Sequence, residues 1–147
     1  MKAVVQRVSR ARVRVGEEVA GEIGAGLCVL LGVARGDDAA TASRLAEKVA
    51  RLRIFEDEEG RFDRSLLDAG GEALVVSQFT LIADSRRQKG TRPDFSQAAP
   101  RAEAEPVYEV FVDALRASGV PVATGVFGTR MSLELVNDGP VTIVLEL

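Results

Sequence analysis

Leu27-Cys28-Val29-Leu30-Leu31-Gly32-Val33 carries no polar side chain at any position. A strand that turns only apolar groups to either side belongs at the centre of a sheet covered on both faces. Within that run Cys28 reads as an inert core residue, because free cysteine behaves as a small hydrophobe. Upstream, Ala11-Arg12-Val13-Arg14-Val15 alternates strictly, with Arg10, Arg12 and Arg14 on one face and Ala11, Val13 and Val15 on the other. Gly16-Glu17-Glu18 turns this strand into Val19 to Ile23, and Gly24-Ala25-Gly26 turns the chain again into Leu27. The segment Gly21-Glu22-Ile23-Gly24-Ala25-Gly26 is therefore a hairpin, since a dinucleotide loop needs the opposite glycine spacing and a helix behind it.

Downstream, Gly36-Asp37-Asp38 opens a helix in which either aspartate can cap free N–H groups. Ala42, Leu45, Ala46, Val49 and Leu52 recur at helical spacing, opposite Arg44, Glu47, Lys48 and Arg51. The acidic run Glu56-Asp57-Glu58-Glu59-Gly60 reads as a solvated hairpin tip. Ala73 to Ile82 predicts a second buried strand that turns polar near its end. Val107, Phe111, Ala114 and Leu115 define a second helix, with Pro106 in its first turn and Ser118-Gly119 at its end. Val122 to Thr124, Met131 to Val136 and Val141 to Leu147 return to strands, the last two joined by a tight turn at Asn137-Asp138-Gly139-Pro140. The fold class is α+β: residues 1–147 form a single domain of largely antiparallel β-sheet, barrel-like or layered, with two main helices packed on one side.

Absences narrow the chemistry. The 147 residues include no histidine, which removes Ser-His-Asp and Cys-His hydrolases, and only one cysteine, which with the missing histidines removes almost every zinc site. No metal and no cofactor are expected. A lone cysteine, no signal-peptide pattern and no membrane-length apolar run point to a cytoplasmic protein. The net charge of −3 argues against coating a long duplex. Yet Arg86, Arg87, Lys89 and Arg92 crowd into seven residues of the unpatterned stretch 84–99, either as a solvated loop or as a grip on a few phosphates.

Two short motifs stay ambiguous on their own. Ser77-Gln78-Phe79-Thr80 closes an apolar strand with hydrogen-bonding side chains, which must be satisfied or used. Gly139-Pro140 sits between two strands, and base frequencies favour a trans bond there.

Taken together, Ser77-Gln78-Phe79-Thr80-Leu81, Gly90-Thr91-Arg92-Pro93-Asp94-Phe95, Gly125-Val126-Phe127-Gly128 with Met131, and Asn137-Asp138-Gly139-Pro140-Val141-Thr142 resemble the signature blocks of the D-aminoacyl-tRNA deacylases, in the same order. Met1-Lys2-Ala3-Val4-Val5-Gln6-Arg7-Val8 is similar to that family's N-terminus. One departure shows: Thr129-Arg130 stands where the family pattern has Ala-Asp. The resemblance implies a homodimeric esterase for aminoacyl-tRNA, cleaving D-amino acids or glycine from the terminal adenosine. It also implies catalysis by main-chain N–H groups around Phe79 and Thr80, with the substrate's own ribose 2′-OH assisting. Ser77 and Gln78 would shape the pocket and bind the terminal nucleotide, and Met131 would line the same cavity. A cis Gly139-Pro140 pair would enter the partner subunit's pocket and exclude L side chains. Thr80 as a nucleophile lacks any base to activate it. The rival reading is a non-catalytic RNA-binding module built on Arg86, Arg87, Lys89 and Arg92.

Overall fold

The computed structural model describes residues 1–147. Strand β1 (Lys2–Val15) is the spine of the sheet. Its first half pairs antiparallel with β3 (Gly26–Gly32), its second half with β2 (Glu18–Ile23), and its other edge with β8 (Ser132–Glu146). β6 (Glu72–Ser77) then adds parallel to β3, and β7 (Val122–Thr124) parallel to β6. The sheet is thus mixed, with the order β2-β1-β3-β6-β7 and β8 beside β1. It curls until β2 lies against β7. A Cβ on Gly21 would stand 2.5 Å from the Thr124 carbonyl oxygen, so only glycine lets the two strands approach this closely and nearly close a barrel.

The apolar run that anchors the sequence reading is β3, and both its faces are covered. Leu27, Val29 and Leu31 join the larger core with helices α1 (Ala39–Arg51) and α3 (Arg101–Ala117), which pack together on one side of the sheet. Cys28 faces the second core, inside the curl, with Val8, Val13, Ile23 and Leu74. Burial pushes its thiol up to about 12, as befits an unreactive core group. At α1, Asp38 is the cap, its carboxylate accepting from the Thr41 N–H at 2.8 Å; this bond holds its carboxyl below the usual range.

Three expectations need correction. The strand predicted over Ala73 to Ile82 stops at Ser77, and Phe79–Ile82 forms a single 3-10 turn. Gly32 makes this possible: any Cβ there would meet Gln78 O and Leu81 Cβ at 3.0 Å. Pro106 lies in the second turn of α3, not the first, because the helix starts at Arg101 behind Pro100. A short helix α2 (Leu66–Ala69), capped reciprocally by Ser65 and Asp68, follows the small hairpin β4 (Phe55–Glu56) and β5 (Phe62–Arg64). Finally, Asn137-Asp138-Gly139-Pro140 does not reverse the chain. β8 continues along β1 through it, with Asn137 opposite Val8 and Thr142 opposite Gln6, so the intervening residues bulge out of the ladder. The Gly139-Pro140 bond in this bulge is cis, and Gly139 has φ of 129°.

Candidate active site

An open cavity of about 540 Å³ lies where β3 and β6 end, beside the start of α3. Ser77, Gln78 and Phe79 form one wall, and Met131 another. β6 delivers the first wall, and the 3-10 turn bends Phe79 outward until the residue is 60% exposed, its ring edge-on against Phe95 at 5.2 Å. Gln78 donates its amide to the Thr80 hydroxyl. In the main chain, the Gln78 N–H bonds Leu31 O at 2.8 Å and the Leu81 N–H bonds Gln78 O at 3.2 Å. The Phe79 and Thr80 N–H groups open the turn, where no partner within it exists, and they make no loop or cap bond.

The Met131 wall is built by the loop that follows β7. Gly125 makes room for the methionine, since a Cβ there would lie 2.5 Å from its sulfur, and the Val126 N–H donates to that sulfur at 3.4 Å. Phe127 packs on Tyr108 at 5.4 Å, and the Tyr108 hydroxyl donates to Val75 O at 2.9 Å in the core. Burial raises that phenol to about 12, so it serves as a neutral brace.

Other candidate residues lie elsewhere. Thr80 is exposed beside the cavity and outside its lining. Arg86, Arg87, Lys89 and Arg92 are exposed on a loop pinned by the Asp84 N–H to Asp94 O bond, and Arg87 pairs with Asp84 at 3.4 Å. Gly139 and Pro140 are exposed and do not line the cavity of their own chain.

Sequence reasoning missed Arg7. It is only 6% exposed, its Nη1 donates to Ile54 O at 2.8 Å and its Nε to Asp138 O at 3.1 Å, and its guanidinium also pairs with Glu56 at 3.4 Å. A buried arginine thus ties the residue before Gly139 to the hairpin after α1. The Asn137 side chain completes the bulge, accepting from the Val141 N–H and donating to Thr142 Oγ1, both at 3.1 Å. Phe127, Arg101 and Arg130 were also missed as cavity residues. No three His, Cys, Asp or Glu side chains converge in a way that could hold a metal ion.

Comparison with known proteins gives the site its context. A Roseiflexus sp. (strain RS-1) protein named D-aminoacyl-tRNA deacylase is 64% identical over 146 residues, covering 99% of this chain and 93% of its own. A solved structure described as a c-Myc DNA unwinding element binding protein is 45% identical with a TM-score of 0.92, covering 100% of this chain and 99% of that one. A probable eukaryotic D-amino acid tRNA deacylase shares the fold, with a TM-score of 0.81 at 17% identity over 99% of this chain and 98% of that one. Residues 4–146 match the D-Tyr-tRNA(Tyr) deacylase family, and the chain belongs to that family.

Proposed function

We propose that this chain is a hydrolase that cleaves the ester between a D-amino acid, or glycine, and the 3′-terminal adenosine of tRNA, releasing free amino acid and tRNA. The observation that carries this is the cavity walled by Ser77, Gln78, Phe79 and Met131, in a chain whose relatives bear the deacylase name. Water adds to the ester carbonyl, the developing oxyanion is met by the Phe79 and Thr80 N–H groups, and the ribose 3′-oxygen leaves with a proton. Such an ester is already activated, and one oxyanion donor contributes about 3–4 kcal/mol to the barrier reduction. The substrate's own ribose 2′-OH, and not a histidine, which the chain lacks, would relay the water's proton to the leaving 3′-oxygen.

Chiral proofreading needs a feature that the cavity of one chain lacks. β8 leaves one edge of the sheet unpaired, and Val136 and Val144 are exposed along it. A homodimer formed there would carry the exposed Gly139-Pro140 segment into the partner's cavity. Its carbonyl oxygens would receive the α-amino group and occupy the space an L side chain requires. Residues 1–147 would act as one deacylase domain. A cytoplasmic location fits the buried, unpaired Cys28, and no helix is long and apolar enough to cross a membrane.

The name of the 45% identical structure supports a second reading, nucleic-acid binding without catalysis through the basic loop at Arg86, Arg87, Lys89 and Arg92. Turnover of D-tyrosyl-tRNA beside its L counterpart separates the two. Selective hydrolysis of the D-ester is the expected result. Binding of both with hydrolysis of neither would replace the enzyme with the binding module.

A further inference from the structure

The cavity is lined by two charged residues, Arg101 and Arg130, and by no carboxylate, although the chain as a whole is acidic. Arg101 is exposed at the rim and makes two contacts there. Its Nε donates to Glu105 Oε2 at 3.1 Å, and its guanidinium sits over the Phe127 ring at 5.9 Å. Its Nη1 lies above Gly128, where any Cβ would stand 3.0 Å from it. Gly128 has φ of 71°, so the turn there favours glycine. Arg130, two residues on, lines the same cavity and takes part in no ion pair or hydrogen bond.

Arg130 brings to this cavity a cation that no acid neutralises, and Arg101 brings one shared with Glu105, which suits a ligand that carries its own anion. The aminoacyl group cannot supply it in general, because its α-amine is itself cationic. We propose that Arg130, aided by Arg101, forms a subsite for the 5′-phosphate of the terminal adenosine, fixing the end of the tRNA strand while the ester lies at the 3-10 turn. This rests on reading the cavity as the aminoacyl-tRNA site. A planar guanidinium offers paired donors that match two phosphate oxygens, which lysine cannot reproduce.

Two measurements test the subsite. The first is independent of turnover: AMP and adenosine are titrated against the wild-type protein and Arg130→Gln. The wild type should bind AMP about tenfold more tightly than adenosine, and the variant should bind the two alike. The second compares D-tyrosyl-tRNA, D-aspartyl-tRNA and the phosphate-free ester 3′-O-(D-tyrosyl)adenosine. Arg130→Gln should raise KM about tenfold for both tRNAs with kcat within about twofold, and leave the phosphate-free ester unchanged. Equal binding of AMP and adenosine by the wild type would overturn the subsite, even with D-tyrosyl-tRNA fully turned over. So would a loss confined to D-aspartyl-tRNA, which would make Arg130 a side-chain selector, or an equal loss on the phosphate-free ester. A wild type that prefers AMP but hydrolyses no ester would keep the subsite and defeat the hydrolase reading.

Discussion

Replacing Arg7 with methionine tests whether discrimination against L-amino acids depends on how the Gly139-Pro140 bulge is anchored. Methionine keeps much of the arginine stem's length and apolar bulk, so the change chiefly removes the guanidinium. That group makes two good hydrogen bonds to main-chain carbonyls, at 2.8 and 3.1 Å, and two longer pairs, to the Glu56 carboxylate at 3.4 Å and the Asp138 carboxylate at 3.5 Å. Hydrogen bonds to a charged group contribute about 1.5–3 kcal/mol each. The Glu56 pair contributes little, because its carboxylate is half exposed and screened by solvent. Against the loss stands the relief of no longer desolvating a cation in a site that is nearly closed. A net destabilisation of about 2–4 kcal/mol follows, which for a chain of this size lowers Tm by roughly 5–15 °C.

Stability is only half of the prediction. Arg7 holds the Asp138 carbonyl, the residue next to Gly139, and a Cβ on Gly139 would lie 3.2 Å from its Nη2. With that anchor gone the bulge can move by an ångström or more, and a steric gate made of backbone fails as soon as a methyl group can pass. A thousandfold preference for glycyl- over L-alanyl-tRNA corresponds to about 4 kcal/mol of clash. The expected result is a fall of at least tenfold in that ratio, with kcat on glycyl-tRNA changed less. Deacylation of glycyl-, L-alanyl- and D-alanyl-tRNA, measured at a temperature where the variant's circular dichroism is native, separates gate from stability. A lower Tm with the glycyl to L-alanyl ratio unchanged would refute the anchoring role of Arg7.

Four further outcomes are expected. Thr80→Ala should retain activity within about 10- to 100-fold, and an acyl-enzyme trapped on Thr80 in the wild type would establish covalent catalysis instead. Neutralising Arg86 and Arg87 together should flatten the dependence of tRNA affinity on salt by about 0.7–0.9 log units per log unit for each phosphate that is no longer neutralised, and an unchanged slope would leave that loop without a role in binding. Gly21→Ala should cost about 1–3 kcal/mol in a denaturation experiment, because its Cβ collides with Thr124 O where the barrel closes, and an unaltered midpoint would contradict that closure. Alkylating reagents at pH 8 should leave both Cys28 and activity untouched, since the thiol is 1% exposed and its pKa is pushed up to about 12.

What could be read from the chain alone follows the range of the forces involved. Periodicity is local, so the two-sided strand at Leu27, the amphipathic helix after Asp38 and the alternation through Val13 were legible without coordinates. Ser77 and Gln78 were ambiguous on their own, as polar groups that end an apolar strand and must be satisfied or used; in the fold they line the cavity. What escaped was set by partners distant in sequence. The strand after Ala73 stops at Ser77 because Gly32, far earlier in the chain, offers the 3-10 turn a surface with no side chain on it. Asn137 to Pro140 has the composition of a tight turn, but β1 is long enough to pair with the chain on both sides, so the segment became a bulge within one strand. Arg7 looks like one more polar residue on an alternating strand; its meaning comes from Ile54 and Asp138, 47 and 131 positions away. Arg101 and Arg130 were hidden for another reason. An arginine at a helix start or in a loop is ordinarily solvated, and neither shows any local sign of sharing a wall with Phe79. Both side chains are exposed, and they share a site only because the sheet's curl brings the end of β6, the start of α3 and the loop after β7 to one rim.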